Sequence, residues 1–177
     1  MTDQNSLAAA IHEAVVLQPY DGRWPALFTT ERDRLLSCFP GSFIDIQHIG
    51  STAVPGLLAK PVIDLLAGVE SMVAAEALLA PLCANGYTGS AEFNASLTDR
   101  KWLMRWAEGR RTHHLHLVVH GGAVWAQRLR FRDALRSDPA LAVRYAALKA
   151  ELAAKHPNDR EAYTDGKTAF VKAACEG

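Results

Sequence analysis

The chain has 177 residues, enough for one hydrophobic core of ordinary size. Hydrophobic residues make up 49% and charged residues 21%, a balance that excludes disorder as the default state. With 19 basic and 19 acidic side chains the formal net charge is zero, which argues against a global electrostatic grip on nucleic acid and leaves room only for a local basic stripe.

Cys38, Cys83 and Cys175 are odd in number and far apart, with no CxxC pair. That spacing argues against a disulfide framework or a thiolate zinc site and predicts reduced, partly buried thiols. The N-terminal MTDQNSLAAAIHEAVVL lacks a basic n-region, and its Ala-rich stretch is too short and polar for a signal peptide or a membrane span. The expected localisation is therefore cytoplasmic, with no membrane partner. Residues 1–14 read as a flexible leader and 15–177 as one domain, because no repeat, low-complexity segment or linker intervenes.

Val15 to Leu17 reads as a short strand, stopped by the turn cluster Pro19-Tyr20-Asp21-Gly22. Trp24, Leu27, Phe28, Leu35 and Phe39 recur at helical spacing and predict a helix that Pro40-Gly41 ends. Tyr20 and Trp24 are placed to pack that helix onto a sheet. Phe43 to Ile49 predicts a strand, and Gly50 to Lys60 an ordered loop with at most one helical turn. Pro61 to Val69 is a nearly continuous apolar run, as a buried strand requires. A helix follows over 72–85, kinked at Pro81 and stopped by Gly86. Residues 100–106 and 113–119 alternate and predict a β-hairpin across a 107–112 link. In its second arm His114, His116 and Val118 share one face, and Leu115, Leu117 and Val119 the other.

Beyond Gly121-Gly122 the pattern is helical. A first helix covers 123–137, and Asp138-Pro139 caps a second with the stripe Leu141, Tyr145, Leu148 and Leu152. Asn158-x-x-Glu161 has the form of a capping box for a last helix that carries Tyr163 and Phe170. The fold class is α/β (α+β), with a mixed sheet and a helical C-terminal third.

The chemistry concentrates in HIGSTAVPGLLAKPVID, residues 48–64. Gly50 permits close backbone approach to a ligand. Ser51 and Thr52 offer hydroxyl and N–H groups to a phosphate, and Lys60 a balancing charge. Asp64 lies in an apolar strand and needs a partner, whether a cation or a structural hydrogen-bonder. His114 and His116 point the same way, a spacing that suits a metal, a phosphate or proton transfer, and equally a polar strand surface. Arg128, Arg132 and Arg136 share a helix face that suits phosphate or simply solvent, and Asp133 can pair with Arg130 or Arg136. Lys149 and Lys167 read as surface residues, and Tyr163 as a core ring with its hydroxyl at the edge. Trp102, Trp106 and Trp125 are candidates for base stacking or for the core.

PYDGRW, HIGSTAVPGLLAKPVIDLL, HHLHLVV and FRDALR, with a Tyr and a Lys in the last helices, resemble the GrpB family over about residues 15 to 172. That family is grouped with the polymerase-β-like nucleotidyltransferases. Their pattern is a Gly-Ser after a first strand and an acidic pair, one residue apart, on the next. The resemblance implies a nucleotidyltransferase-like core, Gly50 and Ser51 for phosphate contact, and Asp64 as the first metal-binding acid. It also singles out Arg132 in FRDALR. The second acid falls at Leu66, which binds no metal, so the two-metal site is incomplete. His114 and His116 stand where the scaffold often brings a third acid. With His48 they would complete a His/Asp set around Asp64, with Asp64, His48 and His116 as ligands.

The expected cofactors are a divalent metal (Mg²⁺, Mn²⁺ or Zn²⁺) and a nucleotide, and the expected partner is a phosphorylated small molecule rather than nucleic acid. Three readings stay open. One is nucleotidyl or phosphoryl transfer by Asp64, His114 and His116 on a ligand held at Gly50, Ser51, Thr52, Lys60 and Arg132. The second is a nucleotide- or phosphate-binding module without turnover. The third is a His/Asp metal-dependent enzyme of another type. Substrate and oligomeric state are not legible in the sequence.

Overall fold

The computed structural model describes residues 14–176; the leader expected at the N-terminus lies almost wholly outside the described residues. Helix α1 (Trp24–Cys38) is followed by β1 (Asp45–Ile49), a 3-10 turn (Ser51–Ala53) and β2 (Ile63–Val69). Next come α2 (Met72–Ala84), β3 (Tyr87–Thr88), α3 (Ala91–Ser96), β4 (Lys101–Ala107) and β5 (Arg110–Val119). The C-terminal third is helical: α4 (Ala123–Ser137), α5 (Pro139–Lys155), α6 (Arg160–Asp165) and α7 (Thr168–Glu176).

The strands form one mixed sheet in the order β1-β2-β5-β4-β3. Only β2 and β5 run parallel; they lie side by side within the sheet, and β2 is buried at every position but Asp64. One face carries Leu65, Ala67, Leu115 and Leu117, packed by Phe28 and Leu35 of α1 and Leu82 of α2. Tyr20 and Trp24 meet edge to face there, centroids 5.2 Å apart, and join that core. The other face carries Ile49, Leu66 and Val118 under Trp125 of α4. Burying both faces explains why β2 reads as a nearly continuous apolar run interrupted only by Asp64.

Five local expectations need correction. Val15 to Leu17 forms no strand. It packs against Leu152 and Tyr163 of the C-terminal helices, and only Gln18 forms a bridge, with Ala59. The hairpin link is two residues, Glu108 and Gly109, both at positive φ (51° and 73°), the conformation of a tight hairpin turn. Arg110 to Thr112, which look like loop, continue the ladder past a register shift between Arg105 and Trp106. Asp159 rather than Asn158 caps the helix after α5, accepting from the Ala162 N–H at 3.0 Å. The last helix is two, α6 and α7, with Gly166 between them, where a Cβ would come within 2.5 Å of Leu152. Cys38 and Cys83 are exposed rather than partly buried, and no cysteine forms a disulfide among the described residues. No helix among them is long and apolar enough to cross a membrane.

Candidate functional site

Parallel pairing sets Asp64 opposite His114 and Leu66 opposite His116, so the three polar side chains leave one face of the two inner strands. Antiparallel pairing then brings the end of β1 to the same place, with Ile49 opposite Asp64. There the chain must turn over the carboxylate. Gly50 does so at φ 73°, ψ −173°, a region only glycine occupies without strain. A Cβ on Gly50 would lie 2.3 Å from Asp64 Oδ2, so the glycine is fixed by the acid.

His114 Nδ1 lies 2.9 Å from Asp64 Oδ1, and His116 Nε2 is 3.8 Å from the same oxygen. One ligand atom from each of the three residues falls within 4.8 Å of the others, a spacing one cation can span. Burial alone would raise the Asp64 carboxyl, but the hydrogen bonds and proximity of His114 and His116 hold it well below the usual carboxylate range. Burial pushes His116 down to about 4, against the opposing pull of Asp64, and pushes His114 down as well. Both rings are therefore neutral at neutral pH. His114 donates its Nδ1–H to Asp64 and turns Nε2 to Arg111 Nη1 at 3.5 Å, while His116 Nδ1 is buried with no partner. The Asp64 side chain keeps 25% of its exposure, so the floor of this cleft is open to a ligand.

Cations surround this floor. Lys149 of α5, only 2% exposed, donates to Ser51 Oγ at 2.9 Å and to the Leu58 carbonyl. Lys167 sits 4.2 Å from the Tyr163 ring centre, and Lys60 lies 4.9 Å from the same centre. Burial lowers Lys149 to about 7, with Lys167 adding repulsion. Burial also lowers Lys167 to about 8, with Asp64 pulling it up and Arg128 pushing it down. Arg128 of α4 is lowered too, by burial first and then by Arg100. Neither Arg128 nor the Lys167 ammonium makes a hydrogen bond or ion pair among the described residues, although both feel the field of Asp64. Tyr145 hydrogen-bonds Ser51, and its hydroxyl is pushed up, chiefly by burial.

The expected ligand set thus divides. Asp64, His114, His116, Gly50 and Ser51 come together, and Lys60 is near enough to lower His114. His48 does not join them. Strand alternation sends it to the other face, where it stacks on Phe28 at 4.8 Å and meets Thr52 Oγ1 at 3.0 Å, with its pKa pushed down to about 4, chiefly by burial. Thr52 is 1% exposed, and its hydroxyl is used by His48 and the Val62 carbonyl, so it faces no phosphate. Arg132 is a strut: it donates to Gln47 Oε1 at 2.9 Å and to the His48 carbonyl at 3.1 Å. Arg136 likewise donates to the Ala53 carbonyl but stays exposed, so this helix face is turned inward at Arg132 and solvated at Arg136. Asp133 pairs with Arg132 at 2.8 Å, and with Arg136 only at 3.9 Å. Trp125 is core, whereas Trp102 borders His114 at 5.3 Å between ring centres.

Lys149 and Lys167 are not the surface lysines their sequence context suggests: Lys149 is buried and Lys167 half-buried. The signal for Lys149 was present: it follows Tyr145 by four residues and lies inside the apolar stripe. Arg111 was hidden in what looks like a loop. An apolar groove of about 500 Å³, lined by Val54, Leu57, Leu135, Pro139 and Ala142 among others, includes none of the three cluster residues.

Comparison with known proteins relates this chain and its fold to others. A family model described as "GrpB protein" matches residues 14–176. The solved structure of conserved protein GrpB from Enterococcus faecalis superposes with a TM-score of 0.80 at 33% identity, covering 91% of this chain and 95% of that one. UPF0157 protein YqkA of Bacillus subtilis is 38% identical over 89% of this chain, which spans only 45% of that relative's length. A dephospho-CoA kinase of Mycolicibacterium paratuberculosis is 30% identical over 90% of this chain and 45% of its own length.

Proposed function

Because the chain belongs to the GrpB family, we propose that its cleft at Asp64, His114 and His116 binds a phosphorylated small molecule, a nucleotide above all, and transfers its nucleotidyl or phosphoryl group. The observation that carries this reading is a charge imbalance. The Asp64 carboxylate acts on Lys167 and Arg128, with Asp99 adding a pull on Arg128, and neither cation has a hydrogen-bonding partner among the described residues. Unpaired charge in a half-buried cleft is costly, and a polyanionic ligand removes the cost. The resemblance of the dephospho-CoA kinase over less than half its length is consistent with a domain that serves nucleotide chemistry.

The donor set fits one divalent cation. Asp64, His114 and His116 would hold it, and the buried Nδ1 of His116 has no other partner to compete for that ring. Imidazole with carboxylate suits zinc or manganese better than magnesium, and such an ion polarises phosphoryl oxygens. The surrounding cations disfavour a bare metal, so ion and phosphate should enter together. The chain's own contribution is to position the ligand and stabilise its charge. A second reading, binding without turnover, is favoured by Leu66: it is fully buried against Ile49, Val118 and Trp125, so no second acid approaches Asp64 along β2.

Titration calorimetry with ATP and with tripolyphosphate, each with and without MnCl₂, tests binding. Both anions should bind, and ATP and Mn²⁺ should each tighten the other by the same factor. Asp64→Asn should abolish that coupling. Absence of binding by either anion under all conditions removes the proposal. Chromatography of ATP incubated with protein, Mn²⁺ and a panel of acceptors separates transfer from binding alone.

A further inference from the structure

Resting on that reading, we propose that Trp102 and Phe93 form the subsite for the planar ring of the ligand, and so make the ligand a nucleotide rather than a simple phosphate ester. Trp102 lies opposite His116 in the β4–β5 ladder and therefore projects from the same face as the cluster. Its ring is 5.3 Å from that of His114, tilted by 57°, so a ligand that reaches His114 also meets the indole. Phe93 of α3 also meets Trp102, edge to face at 5.7 Å, and is 39% exposed, one of seven exposed large apolar side chains among the described residues. Trp102 is half-buried.

Its backbone is held on both sides. The Asn94 carboxamide accepts from the Trp102 N–H at 2.7 Å and donates to the Trp102 carbonyl at 2.9 Å, acting as one more ladder partner beyond β3. Asn94 is 3% exposed and is fixed in turn by Lys101, which donates to its carbonyl at 2.7 Å. Ser90 caps α3 by accepting from the Phe93 N–H at 3.1 Å. All this fixes two aromatic rings at the lip of a cation-lined cleft, where an ordinary core aromatic would be covered. Arg100, two residues before Trp102, pairs with Asp99 at 3.3 Å and lies close enough to Arg128 to lower its pKa, so the cations of the α4 face adjoin the aromatic wall. Flat aromatic surface beside guanidinium groups is the surface that nucleotides bind: rings stack, phosphates pair.

The test compares ATP with tripolyphosphate, both with Mn²⁺, on wild type, Trp102→Leu, Trp102→Phe and Phe93→Ala. Wild type should bind ATP roughly 5- to 150-fold more tightly than tripolyphosphate, the range that one base–aromatic stack supplies. Trp102→Leu should bring ATP down to the tripolyphosphate level, and Trp102→Phe should keep most of the difference. Phe93→Ala, at an exposed site, should lose part of it. Tripolyphosphate affinity should not move in any variant. Equal wild-type affinities for the two ligands, or equal losses for both in Trp102→Leu, would overturn the aromatic subsite and leave the phosphate site standing. If neither ligand binds, the cleft itself is misassigned and this subsite falls with it.

Discussion

The two faces of the sheet treat buried charge in opposite ways. On the α1 face Glu31 is only 3% exposed, yet it is fully matched: Arg34 meets it at 2.7 and 3.0 Å, Tyr87 donates at 2.6 Å, and Arg105 closes the set. Burial would raise Glu31, but Arg34 and Tyr87 bring it below the usual value. On the α4 face Arg128 and Lys167 have no such partners among the described residues, and burial pushes both below their usual values. A network that satisfies itself is architecture, tying α1 to β3 and β4. A cleft that keeps uncompensated charge gives up stability, and that is expected where a ligand completes the set.

The largest effect expected from this contrast is on Glu31. Glu31→Ala strands two guanidinium groups and a phenol and should cost about 3–5 kcal/mol in denaturant unfolding. Arg128→Gln or Lys167→Met should leave stability unchanged or slightly raised while weakening tripolyphosphate at least about tenfold in calorimetry. Loss of stability in the cleft variants, comparable to that of Glu31→Ala, would erase the distinction.

A change of pH sharpens the same contrast. Lys149 and Lys167 have folded pKa values of about 7 and about 8, below the usual lysine value of 10.5. Between those values and 10.5 the unfolded chain holds protons that the folded chain lacks, so their contribution to stability rises with pH across that window. Ligand affinity must run the other way, because the anion binds the protonated lysines. Thermal melts of the free protein and phosphate titrations from pH 6.5 to 9 should therefore slope in opposite directions. A Lys167→Met variant should flatten both slopes.

The smallest effect concerns Thr52, which has a hydroxyl beside the cleft sequence but not in the cleft. Thr52→Val should cost about 1 kcal/mol for its buried hydrogen bonds and leave phosphate affinity within about twofold. A large loss of affinity would return Thr52 to the ligand.

Much of the scaffold was legible because it follows local rules. The α4 helix begins and ends where its pattern says, and Asp138 caps α5 by accepting from the Leu141 N–H at 2.9 Å. Asp64 was legible as an acid in an apolar run, and the His114–His116 pair from its period of two. Cation identities were less legible, because a lysine on a helix carries no mark of what packs over it. Lys149 and Arg128 look like solvated residues until α4 and α5 are laid on the sheet.

Periodicity, caps and turn residues are properties of neighbouring residues, so the sequence alone determined most of the longer elements, the mixed α/β class and which side chains share a strand face, but not the short β3 and α3. The tertiary structure decided what register and packing decide over long separations. It set Asp64 against His114 fifty residues away and turned His48 into the opposite core. It also spent Thr52 and Arg132 on internal bonds and brought Lys149 across 98 residues to Ser51. Side-chain chemistry is written in one residue, but whether a charge meets a partner, a ligand or water depends on segments the chain joins only when folded.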